Sequence, residues 1–173
     1  TGKWFYAGPF DNTGGKGFDA VYPPELGVDL KKEYVGKNNE KVVWKEGAFV
    51  DGQPNDLLIF GKPELNVYAA AYVYREINVG TDMECPVSLG SDDTLTVWLN
   101  GEKIHAENVG RGVAPDQAIL KLKLRAGKNT FLMKICQGEG GFGFYFAAKL
   151  NEALPVVPLQ FEDVSDAAGL GEN

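Results

Sequence analysis

The sequence predicts an all-β protein, an antiparallel β-sandwich of jelly-roll type with about eight strands. Three observations carry this. Short segments alternate apolar and polar residues with period two, the pattern of a strand with one buried face. Composition is rich in turn formers and aromatics, with 22 Gly, 9 Pro, 10 Phe, 7 Tyr and 3 Trp among 173 residues. No segment carries the apolar spacing of an amphipathic helix.

In chain order, Trp4 to Phe10 read as a short aromatic strand stopped by Gly8-Pro9, and the Gly- and Pro-bearing stretch 11–25 as a long ordered loop. A second short strand covers 41–44, Asp51-Gly52 marks a turn, and 57–60 is apolar but short. Residues 67–77 form a clear strand, with Val67, Ala69, Ala71 and Val73 on one face and Tyr68, Tyr72 and Tyr74 on the other. Met83, Cys85, Val87 and Leu89 share the inward face of the next strand. Leu95, Val97 and Leu99 then alternate with Thr94, Thr96 and Trp98, and Asn100-Gly101 supplies the two residues that tolerate positive φ in a type I′ hairpin. Glu102-Lys103-Ile104 start the return strand. After a Gly-bent loop over 106–117, Leu120, Leu122 and Leu124 alternate with Lys121, Lys123 and Arg125. The turn 126–129 leads to Phe131, Met133 and Ile135, with Lys134 and Cys136 on the opposite face. A Gly-rich turn over 138–141 precedes the last strand, whose Phe142, Phe144 and Phe146 point one way. The inward residues from Leu95 to Phe146 are the expected core. Cys85 and Cys136 fall on opposite faces, which makes a disulfide between them awkward.

The sandwich is expected to span 1–152, followed over 153–173 by a linker with Pro155 and Pro158 and the start of another module. Because the chain starts at Thr1 rather than Met, a processed protein or a piece of a longer one is expected. Acidic residues outnumber basic ones 24 to 17, for a net charge of −7. That balance argues against nucleic acid and anionic membrane surfaces as partners. No run approaches the roughly 20 apolar residues of a membrane span.

Two adjacent carboxylates, Asp92 and Asp93, sit in a Gly-Ser loop beside the central hairpin. Such a pair repels itself in a low dielectric unless it is solvated or holds a cation. Calcium takes six to eight oxygen ligands, and Asp92 and Asp93 can supply two, with Asp116 or Asp19 reaching in from neighbouring loops. The competing reading has one Asp capping the loop through backbone N–H groups and the other solvated. Sugar recognition needs aromatic faces and polar side chains for hydroxyls. Asn108, Arg111 and Asp116 offer the polar set in one loop, unless Arg111 simply pairs with Asp116. Trp98 either plates an exposed surface or fills the space under a covering loop. His105 is the single histidine and reads as a surface or packed residue. Neither a nucleophile elbow nor a phosphate loop occurs, and neighbouring Asp side chains in extended backbone tend to point apart. Catalysis is therefore not expected.

The run Gly90-Ser91-Asp92-Asp93 with Val97-Trp98-Leu99-Asn100-Gly101 resembles two families. It is similar to the sugar-binding, galactose-binding-like jelly-roll domains of β-galactosidase-type glycoside hydrolases. It also resembles the protective-antigen-like domain of flocculin adhesins, which implies that Asp92 and Asp93 bind calcium and, through it, sugar hydroxyls. A looser similarity over residues 1 to about 150 is to accessory domains of large secreted polysaccharide-degrading and adhesive proteins. The stretch 161–171 resembles the opening segment of integrin-like FG-GAP (VCBS) propellers. The resemblances imply a non-catalytic carbohydrate-binding module of a secreted, cell-surface or periplasmic multidomain protein. It would be assisted by calcium, with a polysaccharide or glycan and the other domains of its own polypeptide as partners. The alternative is a structural or protein-interaction sandwich of the same fold without a sugar site.

Overall fold

The computed structural model describes residues 2–149 and the backbone of Leu154–Pro155. The chain is all-β. Its strands are β1 (Trp4–Asp11), β2 (Glu33–Val35), β3 (Lys41–Val43), β4 (Lys45–Gly47), β5 (Asn55–Asp56), β6 (Ala69–Val79) and β7 (Met83–Asp92). There follow β8 (Leu95–Leu99), β9 (Glu102–Glu107), β10 (Ala118–Leu124), β11 (Gly127–Gln137), β12 (Gly143–Ala148) and β13 (Leu154–Pro155). One sheet runs β4-β1-β6-β11-β8-β9 and the other β10-β7-β12-β5, all antiparallel, and β2 and β3 form a separate ribbon. β13 pairs with Met83 and Glu84 of β7, two residues past the expected domain end. The proposed start of a following module at 161–171 lies outside the described residues.

The two sheets close over one core that contains the expected inward residues from Leu95 to Phe146, with Leu120 at its margin. Trp4 joins them and meets Phe131, Phe144 and Phe146 edge-on, with centroids 5.2–6.4 Å apart. Asn100 and Gly101 adopt φ of 51° and 82°, so the hairpin between β8 and β9 has the positive-φ pair that its sequence requires.

Two expectations need correction. Gly8-Pro9 does not stop β1. The strand continues to Asp11 with its register shifted between Ala7 and Phe10, because a proline without an N–H interrupts the ladder while the chain stays extended. The outer face of the six-stranded sheet is also not a solvated polar face. Phe10, Tyr72, Tyr74, Trp98, Leu132 and Cys136 form a second buried cluster there with Tyr34, Val42 and Trp44 from the overlying segment.

That segment is tethered by charge. Lys134 is 1% exposed, and its Nζ donates to Glu25 Oε2 at 2.7 Å and to the Ala20 carbonyl at 2.6 Å. The Tyr72 hydroxyl donates to the same carboxylate. A buried cation and anion each lose their hydration, so both must be satisfied inside the fold. A second tie closes the other side of the sandwich. Arg75 Nη1 donates to both oxygens of Asp51 at 2.8 Å, and its guanidinium lies 4.2 Å from the Trp4 ring centre. Cys85 and Cys136 are free and buried, one in each cluster, as their opposite faces require.

Candidate functional site

β7 and β8 meet at Asp92-Asp93, and this junction borders an open cleft of about 260 Å³. Asn108, Val109 and Gly110 form one wall of the cleft, Gln137 and Gly138 another, and Asn12 and Tyr68 its rim. The strand period sets neighbouring side chains on opposite faces, and the two carboxylates meet different surroundings: Asp93 lines the cleft, whereas Asp92 lies against the turn at Gly141. Burial first, and then the charge and hydrogen bond of Asp93, push the Asp92 carboxyl up to about 6.

The two residues are used differently. Asp93 Oδ1 accepts the Arg111 N–H at 2.9 Å and Oδ2 the Gly138 N–H at 3.3 Å, so one carboxylate joins three loops. This is the capping arrangement weighed above. Asp92 packs against the Gly-rich turn, where a Cβ on Gly141 would lie 2.5 Å from its Oδ2.

The remaining sugar-binding candidates separate in space. Asn108 is exposed and lines the same cleft as Asp93. The Arg111 guanidinium lies along Ser91, with Nη2 to the hydroxyl at 2.9 Å and Nε to the carbonyl at 3.3 Å, and its Nη1 is 3.2 Å from Glu107. Arg111 does not pair with Asp116. Asp116 is outside the cleft, its backbone N–H bonded to Ser88 and its carboxylate 3.9 Å from Lys149 Nζ. Asp19 also does not line the cleft; Asn12 from the same loop does, with its side chain spent on Gln137 and Gly17. Trp98 takes the second of its two placements. It is 6% exposed, beneath residues 24–28, where it and Tyr74 line a separate cleft of about 180 Å³. His105 lies 3.3 Å from Glu107.

Two cleft residues were not legible as such. Tyr68 sits at a φ of 46°, unusual for a bulky side chain, and is 38% exposed with its hydroxyl 2.7 Å from Glu139. Its place in the period-two pattern concealed this turn. Gln137 is fully buried, and its Oε1 has no hydrogen-bond partner among the described residues. A buried carbonyl without a donor is an unfilled acceptor beside the cleft. Among the described residues, no three His, Cys, Asp or Glu side chains converge on one point. An ion held here would take carboxylate oxygens from Asp92 and Asp93 and further oxygens from Asn108, Gln137 or backbone carbonyls, a donor set that suits a hard cation.

The architecture has counterparts among solved structures. The β-glucosidase from Kluyveromyces marxianus, solved in complex with glucose, superposes over 96% of this chain and 18% of its own, with 16% identity and a TM-score of 0.51. The fold is what they share. The α-xylosidase of glycoside hydrolase family 31 from Xanthomonas citri matches 63% of this chain and 12% of its own, at 18% identity and a TM-score of 0.42. An anti-sigma factor domain-containing protein from Clostridium clariflavum matches 90% of this chain and 48% of its own, at 14% identity and a TM-score of 0.43. The chain thus spans less than half the length of each of these proteins. No family model and no curated protein matches the sequence.

Proposed function

We propose that the chain is a non-catalytic carbohydrate-binding module whose site is the Asp92–Asp93 cleft, with calcium held by the carboxylate pair and sugar hydroxyls completing the ion's shell. The observation that carries this reading is the adjacent carboxylate pair, with Asp93 on the cleft beside an exposed Asn108 and Asp92 next to it pushed up to about 6. Two adjacent, partly buried carboxyls are stabilised by holding a proton or by sharing a cation. Tyr68 offers an aromatic face on the rim, and the fold shared with part of a β-glucosidase is in keeping with a role beside carbohydrate-active domains. On this reading the module works outside the cell as part of a longer polypeptide.

One observation favours a second reading, a structural sandwich without a sugar site. Asp93 and Arg111 both spend their polar atoms on holding loops together. Calorimetric titration of calcium, followed by neutral mono- and oligosaccharides, separates the two. Calcium-dependent sugar binding abolished by Asp92→Asn supports the module; heat from neither titrant supports the structural sandwich.

A further inference from the structure

We infer a second, calcium-independent site on the side of the sandwich: a groove between the edge strands β9 and β10 that takes an anionic, uronate-bearing polysaccharide. The groove encloses about 510 Å³ and is floored by Leu99, Ile104 and Leu120. Lys121, Lys123 and Arg125 line it, against one carboxylate, Glu102. Lys121 and Lys123 alternate along β10, about 6.6 Å apart on one strand, and Arg125 follows directly after its end. They are exposed, and among the described residues none lies within 4.0 Å of a carboxylate, although Glu84 sits across the β7–β10 pair from Lys123. Nine other lysines and arginines do have such a partner. In a chain of net charge −7, this strip is a local cationic exception.

Charge complementarity and the apolar floor together select the occupant. A uronide ring presents C–H faces to Leu99, Ile104 and Leu120 and one carboxylate per ring to the cations. An acidic peptide carries its charges on flexible stems that must be ordered on binding, which costs rotamer entropy. Nucleic acid binds single strands by stacking bases, and no aromatic side chain lines the groove.

The test is affinity electrophoresis and calorimetry with oligogalacturonate in the presence of chelator, with neutral galactan and poly-glutamate as comparison probes. Oligogalacturonate is expected to bind and galactan not to, with binding weakened by added salt. The triple variant K121Q/K123Q/R125Q should lose at least about tenfold in affinity, as three exposed ion pairs of modest worth imply. Lys41→Gln with Lys62→Gln, away from the groove, should change nothing, and Asp92→Asn should bind as the parent does. Melting curves establish that each variant is folded, and single substitutions replace the triple if it is not. The inference is overturned by absence of oligogalacturonate binding, by equal loss in the distant lysine variant, or by poly-glutamate binding as tightly. Because the assay contains chelator, its failure leaves the calcium-dependent reading of the Asp92 cleft untouched, and the converse holds.

Discussion

Asp92 and Asp93 are neighbours with different environments, and that difference governs how the site should respond to pH. In the folded chain the Asp92 carboxyl titrates near 6, above its ordinary value of 3.8, because of burial and then Asp93. Between those values the folded state holds a proton that the unfolded chain releases, so ion-free stability falls as pH rises through this window. In chelator, the melting temperature of the parent measured against that of Asp92→Asn should therefore rise from pH 7 to pH 5. A parallel pH course for the two proteins would show that the Asp92 carboxyl is not raised in the folded chain. Calcium should reverse the pattern, since a proton competes with the ion. Apparent calcium affinity should weaken below about pH 6, and 100 times Kd of calcium at pH 7 should add about 2.7 kcal/mol of stability that Asp92→Asn does not gain. Gly141 gives a steric check on the same carboxylate: Gly141→Ala places a methyl against Asp92 Oδ2 and should weaken calcium binding.

The strands were readable because their inner faces alternate cleanly; the segment that covers them was not. Leu120, Leu122, Leu124, Phe131, Met133 and Ile135 announce one buried face each, and the structure places them in or beside the inter-sheet core. Phe144→Ala should cost about 3–5 kcal/mol in denaturant unfolding, and an unchanged midpoint would mean that the phenyl ring does not pack between the sheets. The outer cluster gives no such signal. Tyr72, Tyr74 and Trp98 look like the solvated side of a strand until residues 12–44 fold over them. The tether, Glu25 to Lys134, joins residues 109 positions apart, so no local pattern could announce it. Removing one partner leaves an uncompensated buried charge. Glu25→Leu or Lys134→Met should each cost about 3–5 kcal/mol, and the Glu25→Leu, Lys134→Met pair should recover most of it. Additive losses in that double-mutant cycle would show that the two groups do not act as a pair.

At the scale of the whole molecule, the main strands of both sheets lie between Trp4 and Ala148 among the described residues, and β13 adds two residues of pairing to β7. A chain truncated after Glu152 should fold with an unfolding free energy, from denaturant titration, lowered by no more than about 1–2 kcal/mol, the worth of a few backbone hydrogen bonds. A larger loss would make the later residues part of the domain. The candidate site was partly legible: Asp93 and Asn108 stand out by residue type and meet at one cleft, but Asp92 is only adjacent to it, and Asp116 and Trp98 share only sequence proximity with it. Loop paths decide such meetings, and these follow from long-range hydrogen bonds such as Arg111 N–H to Asp93, 18 residues apart. The most direct measurement of the central claim is a glycan array probed with the intact chain in calcium, in chelator, and as Asp92→Asn. The account predicts a defined set of neutral glycans bound in calcium and lost in both other conditions. No neutral glycan bound in calcium, or the same set bound without regard to chelator and substitution, would contradict it.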